Sequence, residues 1–337
     1  MKRARFLMGF LAVLIPLTLS AQTYTVTDLG TLRGGDSSVG FGLNARGQVA
    51  GVSTLPNNAY GHGFLFIKGK LKDLGDLGAG WSDSFQVNAS GEVTGYAPIP
   101  GGNVRAYIYR KGHMTQLPTL AGGSTQGYSI NDHGHITGAA DTSNGEVHPY
   151  LYLFRNGKLL DLGTLGLHQQ SVWNSGNGIN NSDEVAGISW TASGAIQGFL
   201  WKKGKMIDLG DLGGGYSRAW AINDHEQIVG ESSVANGNTD AFLWAKGKMK
   251  DLGTLGGTLG RALAINNSGV AVGDSYRNDG TDVAFVYRKG KMLDLNQLIP
   301  ANSGWVLETA EGVNDAGQIS GTGTFNGAER GFLLTPR

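Results

Sequence analysis

SRAWAINDHEQIVGESSVANGNTDAFLWAKGKMKDLG, Ser217 to Gly253, is the stretch whose reading decides the fold. Arg218-Ala219-Trp220-Ala221-Ile222 alternates large and small side chains, the period-two pattern of a strand. Asn223-Asp224-His225-Glu226 is a polar turn, and Gln227 to Ser232 reads as a second strand. After a loop rich in Gly, Asn and Asp, Ala241-Phe242-Leu243-Trp244 gives a third strand. Lys246-Gly247 then turns the chain into a fourth, Lys248 to Leu252. Four short strands without helical periodicity describe one blade of antiparallel sheet.

The unit recurs along the chain. Its Asp-Leu-Gly phrase opens at Asp28, Asp73, Asp161, Asp208 and Asp251, with weakened forms at Gln116-Leu117-Pro118 and Asp294-Leu295-Asn296. Successive openings lie 45, 43, 45, 47, 43 and 43 residues apart. Each interval carries a marker asparagine: Asn44, Asn88, Asn131, Asn180, Asn223, Asn266 and Asn314. Each also carries a step ending in glycine, as at Gly51 and Gly230, and an aromatic triplet such as Phe64-Leu65-Phe66 or Phe242-Leu243-Trp244. Strand-type content at this period means a repeat architecture.

The ends of the chain suggest how the array is completed. The mature chain begins with a lone fourth strand, Tyr24 to Leu29, and finishes with a lone third, Phe332-Leu333-Leu334. Joined, they complete one blade and hide two edges. The expected fold is all-β: a seven-bladed β-propeller of four-stranded blades, closed by pairing of the N-terminal strand with the C-terminal strand. The alternative is an open β-solenoid, whose end repeats would need polar caps. Small residues four before the marker (Gly40, Ser84, Gly127, Gly176, Ala219, Ala262, Ala310) belong where blades crowd near the axis. Large residues three before it (Phe41, Phe85, Tyr128, Trp220, Leu263) read as core between blades.

Residues 1–21 read as a signal peptide: Lys2, Arg3 and Arg5, an apolar run of 14 residues from Phe6 to Leu19, then Ser20-Ala21. Residues 22–337 form a single repeat domain. The run is short for a membrane span, which needs about 20 residues, and no later segment approaches that length. Removing the leader takes the 27 basic residues to 24 against 27 acidic ones, a net of −3. That balance does not suggest a nucleic-acid surface. There is no cysteine, hence no disulfide and no thiolate site. The expectation is a monomer that is secreted, extracellular or periplasmic, with no cofactor.

The blade phrase resembles the extracellular HAF-repeat family of bacteria, named for a His-Ala-Phe step. Here the step stands as His62-Gly63-Phe64, Gln197-Gly198-Phe199, Asp240-Ala241-Phe242, Val283-Ala284-Phe285 and Arg330-Gly331-Phe332. The family phrase Asp-Leu-Gly-Thr-Leu-Gly-Gly is intact from Asp251 to Gly257 and nearly so from Asp28 to Gly35. The resemblance covers essentially the whole mature chain. It implies an exported repeat protein and supplies little mechanism. The histidine, kept only at His62 in this reading, is not expected to be a ligand.

Catalytic signatures are missing from the sequence: no Gly-x-Ser-x-Gly elbow, no His-Glu-x-x-His helix and no phosphate-binding Gly-Lys-Ser/Thr loop. The recurring Asp of Asp-Leu-Gly and the marker asparagines suit side-chain bonds to turn backbone. Asp132-His133-Gly134-His135 could approach a zinc shell, and Asn278 to Asp282 a calcium turn, but exposed turns account for both. The Lys-x-Gly-Lys turns read as solvated hairpins, with an anionic polymer as the alternative partner.

Function is expected on the face with long, variable connections. That face places Trp81, Asp83, Gln126, Trp173, Tyr216, Arg218, Arg261, Trp305 and Glu308 at the starts of inner strands. Aromatic rings among polar groups suit stacking plus hydrogen bonding. The expected function is non-catalytic binding of an extracellular polysaccharide or protein. The alternative is a glycan hydrolase or lyase using Asp83, Glu308 and Glu311.

Overall fold

The computed structural model describes residues 23–56, 58–166 and 174–337. The expected signal peptide and Trp173 lie outside the described residues. The strands form antiparallel four-stranded sheets in chain order. The first comprises Ser38–Leu43, Val49–Leu55, Asn58–Ile67 and Lys70–Asp73. The next three open with the inner strands Asp83–Val87, Ala121–Ile130 and Ser175–Ile179. Two further units, opening with Gly213–Ile222 and Gly256–Ile265, are joined by a single parallel pair, Thr239 with Leu259. The last sheet unites the ends: Trp305–Val313, Ile319–Phe325 and Ala328–Pro336 carry Tyr24–Asp28 on their outer edge. Tyr24 lies opposite Pro336 and Asp28 opposite Phe332.

The segment that opened the reading folds into the four strands expected of it, with longer ends. Its inner strand begins at Gly213 rather than Arg218, because register shifts at Gly213/Ser217 and Ala219/Ala221 absorb extra residues as bulges. Lys246 at φ 52° and Gly247 at φ 77° make the two left-handed residues of a tight hairpin.

The repeat phrases have physical causes. The ring that pairs with the second-strand glycine is 0% exposed in each unit: Phe64, Tyr107, Tyr150, Phe199, Phe242, Phe285 and Phe332. Each ring lies over its neighbouring second strand, which is why that strand carries glycine. A Cβ at Gly230 would meet Arg218 O at 1.9 Å and the Phe242 ring at 2.8 Å. Asp208 Oδ1 accepts from Gly210 N at 2.8 Å, and Asp28, Asp73, Asp161 and Asp251 repeat that turn.

The marker asparagines do more than hold turns. Asn223 Oδ1 accepts from His225 N and Gln227 N at 3.0 Å each, as the sequence suggested. Its Nδ2 leaves the sheet and donates to Asn266 O at 2.9 Å. The same bond runs from Asn44 to Asn88, Asn131, Asn180 and Asn223, and from Asn266 to Asn314. It returns from Asn314 to Asn44 O at 3.0 Å. Beside it, Asp132, Asp224 and Asp315 accept from backbone N–H groups of the preceding unit at Ala89, Asn181 and Asn267. These acids therefore fasten sheet to sheet.

Candidate functional site

The inner strands surround a channel of about 650 Å³. Every inner strand contributes the residue three before its marker: Phe41, Phe85, Tyr128, Asn177, Trp220, Leu263 and Glu311. This corrects the reading of Phe41, Phe85, Tyr128, Trp220 and Leu263 as core between blades. Their small neighbours take the inter-sheet side instead; a Cβ at Gly127 would meet Gly95 O of the preceding sheet at 3.0 Å. The alternating strand thus turns its large residues toward the axis.

The channel has two unlike walls. One is a ladder of rings that starts outside: Tyr60, 62% exposed, stacks on Trp81 with centroids 6.3 Å apart. Trp81 meets Tyr96 edge-on at 6.0 Å, and Tyr96 stacks on Phe85 at 5.4 Å. Phe85 in turn touches Phe41 at 5.1 Å and Tyr128 at 5.7 Å. Burial pushes the Tyr128 hydroxyl up to about 12, so it stays a neutral donor, bonded to Gln126 Oε1.

The other side gathers charge on and behind its lining. Arg261 Nε and Nη2 grip Asp274 Oδ2 at 2.9 and 2.8 Å, and Asp274 is 0% exposed. Burial pushes the Asp274 carboxyl up against the pull of that guanidinium. Arg218 Nη1 donates to Glu231 Oε1 at 3.1 Å, another buried carboxylate raised by desolvation. Asp282 is pushed up to about 6, by burial first and then by Asp274. Glu311, on the channel lining, is pushed up to about 7 by desolvation, then by Asp274, with Arg261 opposing.

The residues expected to form the site are distributed unevenly around this channel. Arg261 lines it. Trp81 is a rung of the ladder, and Asp83 bonds Tyr96, its own carboxyl raised by burial. Gln126 holds Tyr128, and Arg218 lies over the Tyr216 ring, 5.3 Å from its centroid. Glu308 accepts from Thr324 Oγ1 at 2.6 Å. Trp305 is a packing residue: it stacks on Phe325 at 4.9 Å and meets Phe332 at 5.9 Å, against the core of the terminal sheet. Tyr96 was not singled out from sequence, Asp282 was named only in a calcium-type turn, and Glu311 only as an acid. For Tyr96 and Asp274 the signal was the repeat register, since they pair with inner-strand positions five before the marker, Asp83 and Arg261.

Histidines serve as braces. His62 Nδ1 bonds Asp73 Oδ1 at 2.9 Å, and His148 Nδ1 bonds Asp161 Oδ1 at 2.8 Å. His148-Pro149-Tyr150 therefore repeats the His62 position, which the sequence reading had found only once. His135 Nδ1 bonds Asp183 Oδ1 at 2.8 Å, and no three metal-type ligands cluster among the described residues.

No protein-family model and no curated protein matches the chain. Solved structures do. The β-propeller domain of the trilobed protease from Pyrococcus furiosus, described as having an open velcro topology, aligns with a TM-score of 0.59 at 9% identity, over 89% of this chain and 95% of that one. The acylaminoacyl peptidase of Pyrococcus horikoshii aligns with a TM-score of 0.59 at 11% identity, over 92% of this chain and 53% of that one. A puromycin hydrolase mutant gives 0.52 at 14% identity, over 87% and 50%. The chain thus spans about half the length of the last two. At such identities the likeness speaks to the fold alone, and the fold is that of a β-propeller.

Proposed function

We propose that this chain is an exported, non-catalytic member of the HAF-repeat proteins, a monomeric seven-bladed β-propeller that binds an extracellular or periplasmic polysaccharide in its channel. The asparagine bonds that return from Asn314 to Asn44, and the pairing of Tyr24–Asp28 with the last strand, support the closed ring. No helix among the described residues is long and apolar enough to cross a membrane. The observation that carries the binding reading is the ladder of rings from Tyr60 to Phe41, which leads from the rim into the channel. Sugars offer apolar faces to such rings and hydroxyls to the polar groups opposite.

The test is calorimetry of residues 22–337 against defined polysaccharide fragments. Trp81→Ala should weaken binding about tenfold, since ~1.4 kcal/mol is a factor of ten. Fragments that bind the variant as well as the parent would overturn the channel as the site, and capture of proteins alone would move the ligand to a polypeptide.

One observation favours a second reading as a glycan hydrolase or lyase: a Glu311 carboxyl raised to about 7 suits a general acid. Release of new reducing ends by the parent, abolished in Glu311→Gln, would establish it.

A further inference from the structure

We propose that the polysaccharide taken by this channel carries free amino groups, and that one ammonium seats against Glu311. The inference rests on the channel-binding reading above and names the chemical class of its ligand.

Among the seven inner-strand positions that line the axis three before the marker, Glu311 alone is charged. It makes no hydrogen bond and no salt bridge among the described residues. The cations of the same wall are engaged elsewhere: Arg261 by Asp274 and Arg218 by Glu231. Asp282 adds a carboxylate oxygen that is buried and without a hydrogen-bond partner. Of the two charged side chains that line the channel, Arg261 is thus held by Asp274, and Glu311 is the one left to meet a ligand.

The rings of the first three units strengthen the same preference. Phe41, Phe85 and Tyr128 line the channel, and an aromatic face there would attract a cation and repel an anion. A sugar acid would meet both walls unfavourably. A neutral sugar would stack and offer Glu311 only the neutral donor of a hydroxyl, whereas an ammonium gives the carboxylate a stronger, charge-assisted bond. A bare metal ion would lack a ligand shell, because no three metal-type ligands cluster among the described residues. An amino sugar satisfies both walls at once: its ring stacks on the ladder and its ammonium pairs with the carboxylate.

The experiment is calorimetry of residues 22–337 near neutral pH with three probes: the glucosamine trimer, the N-acetylglucosamine trimer and spermidine. The glucosamine trimer should bind at least tenfold more tightly than the acetylated one. Glu311→Gln, which preserves volume, should remove that preference, whereas Trp81→Ala should weaken both trimers alike. The comparison of trimers on the unaltered protein stands whether or not the variant folds. Equal affinity for the two trimers would overturn the amino-group inference and leave the channel reading intact. Binding of neither trimer, or of only the acetylated one, would overturn the inference, and the first of these would also remove support for a sugar site. Spermidine binding as tightly as the glucosamine trimer, and unmoved by Trp81→Ala, would overturn the sugar body.

Discussion

Replacing Glu311 with glutamine should flatten the pH dependence of stability across the neutral range. The carboxyl titrates at about 7 in the folded chain against 4.5 in an ordinary environment, because desolvation disfavours its charge. Between those values the native chain keeps a proton that the unfolded chain has released. Unfolding free energy therefore falls as pH rises, by about 1.4 kcal/mol per unit. Over a gap of about 2.5 units this amounts to roughly 3 kcal/mol. Below pH 4.5 both states hold the proton, and above about 7 both have lost it, so the group adds no slope outside the window. Asp282, raised from 3.8 to about 6, adds a slope of the same sign at lower pH and keeps it in the variant. Urea melts at steps from about pH 4 to 8 measure this directly. The parent should lose stability relative to Glu311→Gln as the pH climbs toward 7. Parallel curves for the two proteins would refute the placement of Glu311 in a dehydrated lining.

Three further outcomes can be checked by denaturant melts. Asn314→Ala removes the bond to Asn44 O and the turn bond from Gln318 N, and should cost about 1–3 kcal/mol. Arg261→Ala leaves Asp274 buried without its guanidinium and should cost about 3–5 kcal/mol, more than Arg261→Ala combined with Asp274→Ala. Trp305→Ala, which strips a ring packed on Phe325 and Phe332, should cost about 3 kcal/mol, whereas Trp81→Ala at the rim should cost about 1 kcal/mol. Equal losses for the two tryptophans would contradict the distinction between packing and rim.

The repeat was legible because each unit solves the same local problem. A turn needs Asn223, a covered strand needs Gly230, and a hairpin needs Lys246-Gly247, so those residues recur at a fixed period. The channel was harder to see. Strand alternation separates two faces of an inner strand but does not say which one meets the axis, since both are largely hidden from solvent. Phe85 and Tyr128 therefore looked like core, although their small neighbours fill the narrow gap between sheets. Trp81 and Trp305 pose the converse problem. Both precede or open an inner strand, and only the position of Phe325 and Phe332 draws the second into the core. The reach of Asn223 to Asn266 was invisible for a related reason: a side chain that satisfies its own turn gives no sign of a second partner 43 residues away.

The strand Tyr24–Asp28 has a consequence for how the molecule is made. Chains emerge N-terminus first and fold progressively as they do so, yet among the described residues this strand finds its sheet partner in Ala328–Pro336. The strand is thus made before its seat, and it must wait with an open edge while the intervening sheets assemble. Its own composition suits that wait: Thr25, Thr27 and Asp28 are polar, and among its five residues only Tyr24 and Val26 offer apolar side chains. A nascent molecule truncated before Ala328 would keep the strand but lack its seat, and would be the form most open to pairing with a neighbour.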